Sequence, residues 1–560
     1  MSSLPDPPTN SVDWRLVLPM LALLGLVCSI YAPGLGYELV YDDPMLVGAS
    51  RLTGALGDLP GVLTWDLWAS TNQAEASRSG YFRPLFLLSL WLDRQVPQEF
   101  WLSAHRLQDV TWHLGATGLV VALAHRWGAG RVAALAAGGV FALHPAHVGA
   151  VQFVAARNDL MATAFLLLAV WQIDRSGARG LGSLATLCSA AMLSKESAAL
   201  APLLLCMLAV ARGVGWRRAA GVGAASAAGV LVAVGLRFSV GVPLPESSGS
   251  HAMLAVFGPA LGHWAAIAAW PVDLAPGLNL TWPEAAALGA MTLGLVVLVG
   301  VGLASGWRGL AWIGAGGLVL IPALAGVAAN GLVADRYLYG PLAFWAVALG
   351  LAMARLPWFA AVLAGGGLGG ALAMQTVRTL PTWSSEIDLW RAGVAAHPQP
   401  YTWAAYGAVL EEAGLVAEAA RYTERASSTT PPMPHACFNV TRRYLQSGAP
   451  AEAVRAGAAA LAAGCPRSPE LLAPLAVGQA LGGDWAEAEA TVSGMDGDPT
   501  GQAVLVRCAA AVRRGDLEVL LRTARSGRGE PDALRGQVAF LLRASGDEAA
   551  ALVVEAMPFP

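Results

Sequence analysis

Apolar runs alternate with short polar breaks from about residue 16 to about residue 375, and several of the runs reach about twenty residues. A helix needs about 20 residues to cross the hydrocarbon core of a bilayer, so the pattern predicts membrane spans. In order they fall at about 16–31, 104–124, 132–143, 160–173, 181–193, a run ending at Arg212, 219–236, 285–304, 309–329, 337–353 and 357–375, about eleven in all. The first run lacks a small-x-small cleavage signature and reads as a retained helix, not a removed signal. Residues 252–270 are equally apolar, but both flanks read as external. Counting them as a span inverts every later loop, so they read as a re-entrant or interfacial segment.

Arginine in short loops marks the cytoplasmic side. With a cytoplasmic N-terminus, Arg126, Arg131, Arg175, Arg212, Arg218, Arg308 and Arg355 all fall inside. The stretch from about 32 to 103 is then a long external loop, whose Trp65, Trp68, Trp91 and Trp101 suit the membrane interface.

Past about residue 380 hydropathy drops and a 34-residue period begins. Trp403, Tyr406, Gly407, Ala419, Ala426 and Pro431 have the spacing of a tetratricopeptide repeat, with bulky and small positions on two helices and then a proline stop. Ala453 and Ala460 repeat Ala419 and Ala426 at +34, Ala488 follows Ala453 at +35, and the third and fourth units, to about 555, are degenerate. The predicted fold is all-α. A polytopic membrane domain covers 1–380 and a helical solenoid covers 381–560, the latter a binding surface or brace and not a catalytic centre.

Composition agrees: 56% of residues are hydrophobic, 13% are charged and the mean hydropathy is +0.53, against about 25% charged in soluble domains. A net charge of -3 and no long basic run give no sign of a nucleic-acid partner. The six cysteines (28, 188, 206, 437, 465 and 508) show no zinc-type spacing, no metal site is predicted, and the C-terminal three permit a disulfide without specifying one. Lys195 is the only lysine, in a chain that otherwise uses arginine wherever it needs a cation. A lysine kept against that bias is a candidate for a role that needs a compact ammonium.

The topology gathers Asp42, Asp43, His144, His147, Lys195, Glu196, Asp335 and Arg336 on the external face. Acidic groups beside a bilayer are costly and point to function. Clustering on one face disfavours a transporter, whose polar groups line a path through the membrane. A carboxylate next to cations suits sugar transfer from a polyprenyl phosphate: the carboxylate takes the proton of the attacking hydroxyl, and the cations stabilise the departing phosphate. Asp42 or Asp43 supplies the first function, and Arg83, Arg157, Lys195 and Arg336 are candidates for the second. His105, Asp109 and His113 lie on one helical face, as a polar seam between helices or a metal pair. Arg157 with Asp159, and Lys195 with Glu196, also fit simple ion pairs.

Six motifs occur in order: Tyr41-Asp42-Asp43; Tyr81-Phe82-Arg83-Pro84-Leu85; His105 with Asp109 and His113; His144-Pro145-Ala146-His147 running to Arg157-Asn158-Asp159; Ser194-Lys195-Glu196; and Asp335-Arg336-Tyr337-Leu338-Tyr339. Together they resemble the transmembrane and tetratricopeptide-repeat proteins of the protein O-mannosyltransferase type, members of the C-type glycosyltransferase fold. The resemblance implies an inverting, metal-independent transferase without a cofactor. Its donor is a polyprenyl-phosphate sugar, mannose-like, and its acceptor a hydroxyl of an external protein; the repeat unit, as a binding surface, is expected to hold or orient that acceptor beside the site. Asp42 is then the base and Asp43 orients it or the acceptor, while Arg83, His144, His147, Arg157, Asp159, Lys195, Glu196, Asp335 and Arg336 line the substrate site. The implied location is a bacterial inner membrane with periplasmic repeats, or the endoplasmic reticulum with lumenal repeats. The chain departs from the family pattern at Gly149, where a Glu is usual, and at Asp109, where an Asn is frequent. A lipid or polysaccharide acceptor, or an inactive scaffold that binds partners through its repeats, are the alternative functions.

Overall fold

The computed structural model describes residues 13–71, 80–175, 177–242, 253–274, 276–279, 284–330, 332–493, 495, 501–525 and 531–557. Two compact units meet between Ala392 and Gly393, whereas hydropathy alone puts the break at 380.

The first unit is a helical bundle: α1 (Trp14–Tyr31), α2 (Pro84–Asp93), α3 (Trp101–Arg126), α4 (Arg131–Ala142), α5 (Arg157–Gln172), α6 (Gly177–Ser194), α7 (Ala201–Arg212), α8 (Trp216–Ser239), α9 (Met253–Ala269), α10 (Glu284–Asn330), α11 (Tyr339–Met353) and α12 (Trp358–Thr379). The predicted spans coincide with these helices to within about four residues at each end. The described strands are limited to one two-residue pair, Leu278–Asn279 antiparallel to Leu332–Val333. The chain is an all-α, multi-pass membrane protein with a helical repeat unit.

Among the described residues, five helical segments are long and apolar enough to cross a membrane: Trp14–Gly36, Val154–Gln172, Trp216–Ser239, Val296–Val327 and Trp358–Trp383. The bent pair Arg131–Ala142 with Pro145–Val151 makes a sixth if it is one span. Their exposed residues include Leu18, Leu21, Leu231, Val232, Leu303, Val362 and Leu363, as lipid-facing surfaces require. Helix α3, at 26 residues, is also long enough but buries Arg106 and Asp109, which lowers its apolarity. Helix α10 has 47 residues and is broken at Gly306, whose φ of 72° and ψ of -170° are not helical. Uninterrupted, 47 residues would run about 70 Å, twice a bilayer core, so the break divides the run as hydropathy predicts. Only glycine adopts such a backbone without strain.

Residues 253–269 form α9; of the flanks on which the re-entrant reading rests, 243–250 before and 271–283 after, residues 243–250, 275 and 280–283 lie outside the described residues. At one end of the bundle Asp174 gathers several of the arginines assigned to the cytoplasmic side. Arg126 Nη2 is 2.9 Å and Arg212 Nη2 3.3 Å from its carboxylate, and Arg218 donates to its carbonyl.

The second unit contains five helix pairs among the described residues, whose first helices start at Pro400, Pro434, Pro469, Gln502 and Pro531. Proline suits the first helical position because its missing N–H has no partner there in any case. Gly414, Gly448, Gly483, Gly515 and Gly546 follow those first helices with φ between 75° and 87°, the left-handed turn that ends a helix. Ala419, Ala426, Ala453, Ala460 and Ala488 are fully buried. Cys437 and Cys465 form a disulfide.

Candidate active site

The loop that follows α1 enters the site through three residues with different tasks. Tyr41 has a φ of 64°, a left-handed conformation rare outside glycine. Its ring packs edge-on against Phe153, with centroids 5.4 Å apart. Asp43 is fully buried. Its two oxygens accept the N–H groups of Val154 (2.9 Å) and Ala155 (2.8 Å), with Arg106 Nη1 3.7 Å away. Burial pushes the Asp43 carboxyl up to about 6, against the opposing pull of Arg106 and the two N–H groups. Asp43 therefore staples the loop to the start of α5, with both oxygens engaged. Asp42 is half-buried and lines a cavity of about 240 Å³. Burial raises its pKa, and the charge of Arg336 opposes the rise.

The same cavity is walled by Arg83, Asp159, Lys195 and Arg336, with Tyr41, Tyr81, Phe153 and Tyr337 as its aromatic faces. Lys195 Nζ is 2.5 Å from Asp159 Oδ1 and 5.1 Å from the centre of the Tyr337 ring. Burial depresses the Lys195 ammonium, and Asp159 resists the fall. Arg83 grips Glu196 through Nε (3.0 Å) and Nη2 (2.8 Å). Arg336 donates to the Pro276 carbonyl at 2.8 Å, and its guanidinium lies 5.0 Å from the Phe153 ring centre. Five of the lining residues, Tyr81, Arg83, Asp159, Lys195 and Tyr337, also wall a second cavity of about 430 Å³. That one continues along the apolar Val319, Pro322, Ala323 and Gly326 of α10 and includes Glu196.

Four of the sequence candidates are placed elsewhere. Arg157 is fully buried among protein partners: Nε is 2.5 Å from Asp109, Nη1 is 2.6 Å from Asp93 and 3.1 Å from Ser89 Oγ, and Nη2 donates to the His105 carbonyl at 2.9 Å. Those contacts occupy the guanidinium in a structural network, because a buried carboxylate pair requires a cation between its members. His144 and His147 are buried in an aromatic cluster. The His147 ring lies 4.7 Å from both Phe141 and Tyr339, and His144 lines a separate apolar cavity with Phe141 and Trp345. Asp335 pairs with His263 Nε2 at 2.5 Å. It borders a small recess beside Gly149 and Trp383 that shares Arg336 with the Asp42 cavity. A Cβ on Gly149 would stand 2.9 Å from the Trp383 ring, so the indole fills the space a longer side chain would need.

The His105–Asp109–His113 face is a seam whose members each find a separate partner: Asp93 for His105, Arg157 for Asp109, and the Tyr339 hydroxyl (3.0 Å) for His113. Arg106, missed in the sequence, donates to the carbonyls of Gln152 and Glu38 and so ties both loops around Asp43. A charged residue inside a predicted span is signal enough to have found it. His263, a polar residue in an apolar run, carried the same signal. Glu386, which accepts the Tyr41 N–H at 2.8 Å, lies 345 residues away and left none.

No family model matches the chain. It is similar to protein O-mannosyl-transferase Tmtc1 of Drosophila melanogaster, with 36% identity over 183 residues, which is 32% of this chain and 21% of that protein. It is also similar to protein O-mannosyl-transferase Tmtc2 of the same fly, with 30% identity over 235 residues, 37% of this chain and 24% of that protein. The matched stretch is less than a quarter of the length of either relative. The family resemblance carried by the ordered motifs is thus matched by direct similarity, over about a third of the chain, to two protein O-mannosyl-transferases of the Tmtc type.

Proposed function

We propose that the chain is a membrane glycosyltransferase that moves a mannose-like sugar from a polyprenyl-phosphate donor to a hydroxyl of an external protein. One observation carries this reading: Asp42 shares a single polar cavity with Arg336, Lys195 and Arg83, and the walls of that cavity continue into an apolar groove along α10. A donor with a charged phosphate between a sugar and a long apolar chain needs that juxtaposition. In the proposed step Asp42 accepts the proton of the acceptor hydroxyl while its oxygen attacks the anomeric carbon. The bond from that carbon to the phosphate oxygen breaks with inversion, and the polyprenyl phosphate leaves with the electron pair. Lys195, Arg83 and Arg336 meet its charge. The leaving group is a phosphate monoester, and three fixed cations serve it without a metal ion. The relatives' names as O-mannosyl-transferases agree. The Cys437–Cys465 disulfide in the repeat unit supports placing that unit on an oxidising side, periplasm or lumen, where it would hold the protein acceptor.

The test is transfer from polyprenyl-phosphate mannose to acceptor protein in membranes with and without the chain, read by glycan mass spectrometry. Equal glycan profiles overturn the reading. Within it, Lys195→Ala is expected to raise the donor KM by about 10–100-fold, the value of a lost hydrogen bond to a charged group, and to leave the acceptor KM near that of the wild type. An unchanged donor KM would remove Lys195 from the phosphate site.

A further inference from the structure

The loop that carries Asp42 is fastened on both sides. After it, the Asp43 carboxylate binds the N–H groups of Val154 and Ala155. Before it, residues 38–41 are held by a segment that follows the last membrane helix. The Glu38 N–H donates to the Ser384 carbonyl at 3.1 Å, and the Tyr41 N–H donates to Glu386 Oε1 at 2.8 Å. The Trp390 ring lies 5.6 Å from the Tyr41 ring. Tyr41 is the residue in the left-handed conformation, and the turn it makes sends the next residue into the cavity. Non-glycine residues hold that conformation only where the surroundings over-determine it. Glu386 is absent from the lining of the cavity, so it acts on the reacting groups at one remove, and its hydrogen bond to the Tyr41 N–H is a direct link to the residue before Asp42.

We propose that Glu386 is a positioning residue for Asp42, fixing the Tyr41 peptide so that the neighbouring carboxylate stays aimed at the acceptor site. The proposal rests on the transferase reading for the role of Asp42; the clamp itself rests on geometry alone. Glu386→Ala removes the acceptor for the Tyr41 N–H, whereas Glu386→Gln keeps an amide oxygen in its place. In the full chain in lipid nanodiscs, Glu386→Ala is expected to lower kcat about 10–100-fold, since small misplacements of a reacting group cost on that order. The donor KM should stay within about two-fold, because the phosphate cations are untouched, and Glu386→Gln should restore most of the turnover. Hydrogen exchange supplies a readout independent of activity: backbone amides of residues 38–46 should exchange about ten-fold faster in the alanine variant, and those of α7 at the wild-type rate.

Wild-type kcat in Glu386→Ala, or unchanged exchange over residues 38–46, overturns the proposal. So does a joint loss of kcat and donor affinity in both variants, which marks general damage. If the wild-type chain transfers no sugar, the transferase reading fails; faster exchange in the alanine variant would still support the clamp, and unchanged exchange would refute it.

Discussion

Asp42→Asn is expected to lower kcat by about 10²–10⁴-fold, the usual contribution of a positioned general base, with the donor KM near the wild-type value. The substitution keeps size and polarity and removes only the capacity to take a proton. Asp43→Asn, its immediate neighbour, should behave differently. Both Asp43 oxygens accept backbone N–H groups, and an amide offers one acceptor oxygen and turns its nitrogen on the other N–H. The neutral side chain also leaves buried Arg106 without its counter-charge. The expected result is a less stable protein with a smaller fall in kcat, about ten-fold, and an acid limb that does not move to higher pH, because the lost Asp43 charge repelled that of Asp42. The pH dependence of kcat provides the second arm. Burial raises the Asp42 pKa above 3.8, so the acid limb should lie above the ordinary carboxylate value, with activity rising as pH rises through it. Arg336 opposes that rise; Arg336→Gln removes the opposition and should move the limb to higher pH. If Asp43→Asn abolishes transfer while Asp42→Asn stays within about ten-fold of wild type, the base is Asp43.

The helices of the membrane unit were legible because their signal is one-dimensional. A run of apolar residues needs no knowledge of its neighbours to be placed, and even the break in α10 shows as the polar interval around Gly306. The repeat unit was legible through buried alanines for two units and part of a third. The later pairs have diverged in those alanines, yet the glycine that turns the chain after the first helix recurs at 515 and 546. Tracking that glycine would have found all five pairs in the sequence.

The site was legible only as a set of charged motifs on one face. Which charges face the cavity and which face each other is decided by packing between helices distant in sequence. Lys195, Arg83 and Arg336 line the cavity with Asp42, whereas Arg157, equally suggestive in sequence, is surrounded by Asp93 and Asp109 from α2 and α3. The sequence linked Arg157 to Asp159 because they are two apart. At the start of α5, however, positions two apart point to different sides, and Asp159 turns to Lys195 instead.

That contrast leads to the second large effect, on stability. Arg157→Met is expected to destabilise the membrane unit by about 3–5 kcal/mol, because it leaves two buried carboxylates without the cation between them. Arg157→Lys keeps the charge but, as a point donor on a flexible stem, cannot reproduce contacts fanned over three nitrogens, and should recover only part of the loss. The measurement is the melting temperature of the detergent-solubilised chain, followed by size-exclusion chromatography with fluorescence detection. Asp93→Asn with Asp109→Asn in the Arg157→Met background should regain stability, since the carboxylates that lack a partner are then neutral. A donor ligand would give another pattern: Arg157→Lys at the wild-type melting temperature but with a raised donor KM. That result would move Arg157 from the buried network into the phosphate site. Rescue by the carboxylate substitutions instead fixes its role as the counter-charge that lets α2, α3 and α5 pack together beneath the Asp42 loop.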